Sequence, residues 1–135
     1  MDIFATFATD EALETEGKWF NMGKTTRVKV ARSGNQKYVK LLRKKLEENK
    51  LDLETMGDDA NDLAEKVLVD VIADTILLDW EDIQYQGKEM EYSRLNARLL
   101  LQIKDFRKKI VGFSESFEAY KIKQEEELGN DSQTS

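Results

Sequence analysis

The sequence predicts a mainly α fold, a small helical domain of about four helices with a short N-terminal β-hairpin. Three observations predict it. From Ala60 to Trp80 apolar residues recur at helical spacing around most of a circumference; from Gly17 to Ala31 apolar and polar residues alternate instead. The 135 residues include no proline, which suits a body of helices joined by short turns.

In chain order, Ile3, Phe4 and Phe7 are expected to form a short extended piece. Trp19, Phe20 and Met22, then Val28 and Val30, alternate with Lys18, Asn21, Arg27 and Lys29 on either side of Gly23, which predicts two strands joined by a turn. Ser33, Gly34 and Asn35 break that pattern and open a helix to about Asn49, with Tyr38, Leu41, Leu42 and Leu46 on one face and lysine and arginine on the other. Met56 to Asp59 forms a turn and cap. The helix from Ala60 to Trp80 is expected to carry Leu63, Ala64, Val67, Leu68, Val71, Ile72 and Ile76 on a broad apolar face, extended by Val69, Ala73, Leu77 and Leu78, and to leave a narrow polar stripe of Asp62, Lys66, Asp70 and Asp74. A helix wetted along one stripe is either the centre of its domain or covered by a second subunit. Gln86, Gly87 and Lys88 interrupt the stretch from Ile83 to Tyr92, where a hairpin or ordered loop is expected. Ser93 is placed to cap a helix from Arg94 to Ile103 with Leu95, Leu99 and Leu100 inward. A last helix is expected from about Phe106 to Leu128, ended by Gly129. Residues 1–128 thus read as one domain and 129–135 as a disordered polar tail.

The chain contains neither cysteine nor histidine, which removes disulfides, thiolate nucleophiles, imidazole bases and nearly all zinc and copper chemistry. A binding protein is expected, not an enzyme, with no cofactor and no metal. Asp2, Asp10, Glu11 and Glu14 make the first fifteen residues unsuitable as a signal peptide, and Asp70, Asp74 and Asp79 break the longest apolar run, so a cytoplasmic protein is expected with no membrane partner. The net charge of -6 hides an asymmetry: residues 21–50 carry ten bases and two acids, residues 51–95 three bases and thirteen acids.

The basic block holds Lys24, Arg27, Lys29, Arg32, Lys37, Lys40, Arg43, Lys44 and Lys45. Clustered cations suit a phosphate backbone, but without a basic net charge or a nucleic-acid motif the plainer reading is pairing with the acidic segment of this chain or of a neighbouring copy. Gly23-Lys24-Thr25 lacks the spacing and the following helix of a phosphate loop. Asp58, Asp59 and Asp62 suit a helix N-terminus, and Asp70 with Asp74 a wet stripe, better than a cation site. Phe106, Ile110, Phe113, Phe117 and Tyr120 recur at steps of four, three, four and three. That seam could fill a partner's groove or pack on the domain's own long helix.

The order of these features resembles the tail assembly chaperones of long-tailed, non-contractile phages. The matching elements are Trp19-Phe20 before a strand ending Val28-Lys29-Val30-Ala31-Arg32, Asn35 to Tyr38 opening a basic helix, and a long apolar helix ending Thr75-Ile76-Leu77-Leu78-Asp79-Trp80. After them come Tyr92-Ser93 and a leucine-rich helix before Asp105-Phe106, so the likeness spans residues 14–115 or so. The resemblance implies a protein of the host cell cytoplasm that binds the tape measure protein, recruits tail tube protein, forms homo-oligomers and leaves before the virion is complete. It also implies a longer product of ribosomal frameshifting. The basic block 24–45 leaves a nucleic-acid-binding regulator as an alternative, and a structural head or tail connector is a second.

Overall fold

Strand β2 (Arg27–Val30) is the middle of a three-stranded antiparallel sheet in a computed structural model that describes residues 1–122. On one side it pairs with β1 (Lys18–Asn21) in the register Lys18 with Val30 to Asn21 with Arg27. On the other it pairs with β3 (Leu77–Glu81), Val28 opposite Trp80 and Val30 opposite Leu77, with an irregularity between Lys29 and Val30. Val28 and Val30 are completely buried. The expected N-terminal hairpin is present as β1 and β2.

Two helices precede the sheet, α1 (Ile3–Phe7) and α2 (Glu11–Glu16), each capped by an aspartate side chain, Asp2 and Asp10. The expected extended piece at Ile3 to Phe7 is therefore helical. Gly17 links α2 to β1 at φ +85°, and a Cβ there would lie 2.9 Å from Leu78 Cδ1 and 3.1 Å from the Val30 carbonyl carbon. Both conformation and space demand glycine.

The chain then leaves the sheet for α3 (Gln36–Glu48), α4 (Lys50–Thr55) and α5 (Asp59–Thr75). Asn35 caps α3 by accepting from the Tyr38 amide and donating to the Arg32 carbonyl. The long helix stops at Thr75, and its expected last turn is β3. A run such as Ile76-Leu77-Leu78-Asp79-Trp80 fits a buried helix or a buried strand equally well by periodicity. Here pairing with β2 satisfies a ladder of backbone groups and buries Leu77 and Trp80, so tertiary context decides for the strand.

After β3 comes a small hairpin, β4 (Gln84–Tyr85) with β5 (Lys88–Glu89), turning through Gln86 and Gly87 at positive φ. Helix α6 (Arg94–Leu101) starts at the Ser93 cap, and α7 (Lys104–Ser114) follows. The expected single helix beyond Phe106 breaks at Glu115. Ser116 caps a separate turn, α8 (Phe117–Tyr120), and the Ser114 carbonyl accepts the Ser33 amide instead of continuing a helical ladder. Residues 123–128 of that expected helix, its stop at Gly129 and the expected tail lie outside the described residues.

Eight helices and five strands in two antiparallel sheets make the described residues a mixed α/β fold. The expectation of a mainly α domain with one N-terminal hairpin is corrected: it lacked β3, and it left the stretch that forms the second sheet open between a hairpin and an ordered loop. Val28, Val30, Ile72, Ile76, Leu77, Trp80, Leu101 and Ile110 belong to one core in which α5, α6 and α7 pack with the sheet. Tyr120 closes it by donating from its hydroxyl to the Val30 carbonyl at 2.6 Å. The two ends of the described chain meet there: the Asp10 amide donates to the Tyr120 carbonyl and the Ile122 amide to the Ala8 carbonyl.

Burial raises the Tyr120 hydroxyl pKa well above its ordinary 10.0, and burial also raises that of Tyr92. The folded state thus holds these protons where the unfolded chain has lost them. Stability is expected to be unaffected by these groups below about pH 10 and to fall as pH rises beyond it, with the onset of unfolding and phenolate absorbance coinciding. Tyr120→Phe is expected to cost about 1–3 kcal/mol in chemical denaturation by leaving a buried carbonyl without its donor, and Gly17→Ala about as much through backbone strain alone.

Candidate functional site

Helix α6 presents two faces. Ala97, Leu100 and Leu101 enter the core, while Leu95 and Leu99, one turn apart, point away from it, with Leu95 75% exposed. The expectation that Leu95 and Leu99 face inward is therefore corrected. Beside them runs the N-terminal half of α5, and between the two helices lies an open groove of about 690 Å³ lined by Asp62, Glu65, Lys66, Val69, Asp70, Leu95, Asn96, Arg98, Leu99 and Gln102. Its apolar strip comes from Val69, Leu95 and Leu99, with charge on both sides.

Ion pairs between the helices hold this shape. Arg98 reaches Asp74 at 2.7 Å and Asp70 at 3.3 Å, and Arg94 approaches Asp74 at 3.9 Å. From α7, Arg107 pairs with Glu65 at 3.0 Å and donates to the Leu101 carbonyl at 2.8 Å. Arg98, Asp70 and Asp74 are partly buried, so their pairs are less screened than surface ones and fix α6 against α5 before any ligand arrives, whereas Arg94 and Glu65 are exposed. The C-terminal half of the expected polar stripe, Asp70 and Asp74, is thus engaged by Arg94 and Arg98, while Asp62 and Lys66 are exposed. Among the described residues no three acidic side chains come together as a metal-binding group.

The aromatic seam faces elsewhere. Phe113 stacks on Phe20 with centroids 4.6 Å apart, Phe117 tilts against Phe7 at 5.7 Å, and Ile110 and Tyr120 are completely buried. Phe106 and Phe113 pack against the core from its edge. The structure brings Phe106, Ile110, Phe113, Phe117 and Tyr120 to the interior side of α7 and α8, with Phe113 and Tyr120 on the sheet and Phe117 against α1, not on the long helix. The large exposed apolar residues lie outside the seam, at Phe4 (81%), Leu95 and Leu51 (72%).

The basic block divides. Arg27 forms a two-point pair with Glu81 and lies over the Trp19 ring; Arg32 pairs with Glu14, and Lys44 with Glu48. Only Arg27 meets the acidic segment 51–95. Lys37, Lys40 and Arg43 on α3 have no ion pair among the described residues. Gly23-Lys24-Thr25 is the turn between β1 and β2, where the Thr25 hydroxyl bonds the Asp82 carboxylate, not a phosphate cradle.

Sequence reasoning missed the outward face of α6 because leucine fills Leu95, Leu99, Leu100 and Leu101 alike. The separable signal was Ala97, which shares a face with Leu100 and Leu101 and not with Leu95 and Leu99.

A family model described as YdaY prophage protein matches residues 30–130. No curated protein and no solved structure matches the chain. The match covers α3 through α8, including both walls of the groove.

If the groove is held open by the arginine pairs, Arg98→Ala is expected to lower stability by roughly 1–2 kcal/mol, between an exposed pair and a half-buried charge left alone. Hydrogen exchange should then quicken first in α6.

Proposed function

The chain belongs to the YdaY prophage protein family, and on that premise we propose that it is a phage tail assembly chaperone that binds the tape measure protein and helps recruit tail tube subunits in the host cytoplasm. The observation that carries the reading is the groove between α5 and α6. It is apolar along its length at Val69, Leu95 and Leu99 and bordered by charge of both signs, and its walls are already locked together by Arg98 and Arg107. A surface of that kind accepts one face of an amphipathic helix with little ordering cost. A tape measure protein is long and helical and exposes many such faces until the tube encloses them. The role calls for binding and release and includes no catalytic step; of the carboxylates that line the groove, Asp70 pairs with Arg98 and Glu65 with Arg107.

Co-expression tests this directly. The wild-type chain is expected to keep a tape measure fragment soluble and to co-purify with it. The double variant Leu95→Asp, Leu99→Asp is expected to lose that effect, because one leucine buried at an interface is worth about 1.5–3 kcal/mol, or roughly ten- to a hundredfold in affinity. Both residues are exposed, so the variant's melting temperature should stay close to that of wild type. Equal rescue by wild type and variant would overturn the reading, and recovery of the chain in purified particles would favour a connector.

A further inference from the structure

Several of the chain's acids pair across elements. Glu65, Asp70, Asp74 and Glu81 of the acidic segment all contact arginine. Along one edge of the molecule they do not. The outer face of α3 carries Lys37, Lys40 and Arg43 with one acid, Glu47, and α4 with the turn and the α5 start after it carries Asp52, Glu54, Asp58 and Asp59 with one base, Lys50, so the first patch is net basic and the second net acidic. None of these nine has an ion pair among the described residues, and all are exposed. The two patches follow each other directly, joined at Asn49, which ends α3 and begins α4. Each also exposes apolar side chains, Val39 and Leu46 on the basic patch, Leu51 and Met56 on the acidic one.

An edge that is basic at one end and acidic at the other complements itself when turned by a two-fold rotation. We propose that a second copy of this chain docks antiparallel on the α3–α4 edge, the α3 cations of each copy over the α4 carboxylates of the other. Such an interface is isologous: both charge contacts form at once and no patch remains to bind a third copy, so assembly stops at the dimer. The net charge of -6 opposes association only weakly, because at physiological salt whole-molecule repulsion is screened within about 8 Å, whereas contacting pairs lie well inside that distance. The apolar side chains supply area that charge alone would not. The α5–α6 groove is not part of this edge, so the inference is independent of tape measure binding.

Sedimentation of the full-length chain across a range of concentrations is expected to show a monomer–dimer equilibrium that weakens with added salt. Two charge-reversed proteins, Lys40→Glu with Arg43→Glu and Glu54→Lys with Asp58→Lys, should each dimerise at least tenfold more weakly, and mixing them in equal amounts should restore a dimer containing one of each. Circular dichroism of the separate variants confirms that they are folded. A wild-type chain that stays monomeric, variants that dimerise unchanged, or a mixture that fails to recover would overturn the proposal. So would oligomers that keep growing with concentration, or loss of single-stranded nucleic acid binding in the α3 variant while its dimer persists.

Discussion

The pairing of β2 with β3 governs the rest of the molecule. It joins residues nearly fifty positions apart, so α3, α4 and α5 must all be contained within one excursion that leaves the sheet at Val30 and returns at Leu77. Once Val30 and Leu77 face each other, the Ala31 amide donates to the Ile76 carbonyl and the end of α5 is tied to the start of that excursion. Closing so long a loop is entropically costly, although the cost grows only slowly with length. Complete burial of Val28, Val30 and Leu77 offsets it. The position of α5, and with it one wall of the groove, follows from a four-residue strand.

The second wall depends on a different kind of contact. Helix α6 is only eight residues long, too short to hold its shape alone in water. Three buried side chains fasten its inner face, and Arg98 bridges two successive turns of α5 through Asp70 and Asp74. The same acids that make the middle of the chain look unbalanced are therefore structural partners of arginines farther along. Part of the excess that remains lies on the α3–α4 edge, where opposite signs adjoin without meeting.

Much of this was readable in the residues. Asn35 and Ser93 cap the helices their chemistry predicts, Gly17 and Gly23 bracket the first strand of the hairpin, and Gln86-Gly87 turns a second one, because these are local effects of side-chain hydrogen bonding and backbone freedom. What escaped depends on distant partners. Ile76 to Trp80 has the composition of a helix end and becomes a strand only because β2 offers it a ladder. The aromatic spacing from Phe106 to Tyr120 is regular enough for one helix, yet the chain bends at Glu115 so that Tyr120 can reach Val30. The groove was hidden for a related reason: spacing alone could not tell which of four leucines on α6 the core would take.

The meeting of Ala8 and Asp10 with Tyr120 and Ile122 has a mechanical consequence. Force applied between the two ends of the body would load this short antiparallel clasp first, peeling the Ile122–Ala8 hydrogen bond and then the Asp10–Tyr120 one before drawing Tyr120 away from the Val30 carbonyl. The helices that form the groove lie between those points and would carry no tension until the clasp opened. The clasp thus stands between the chain ends and the two walls of the groove in the path that a pull would take.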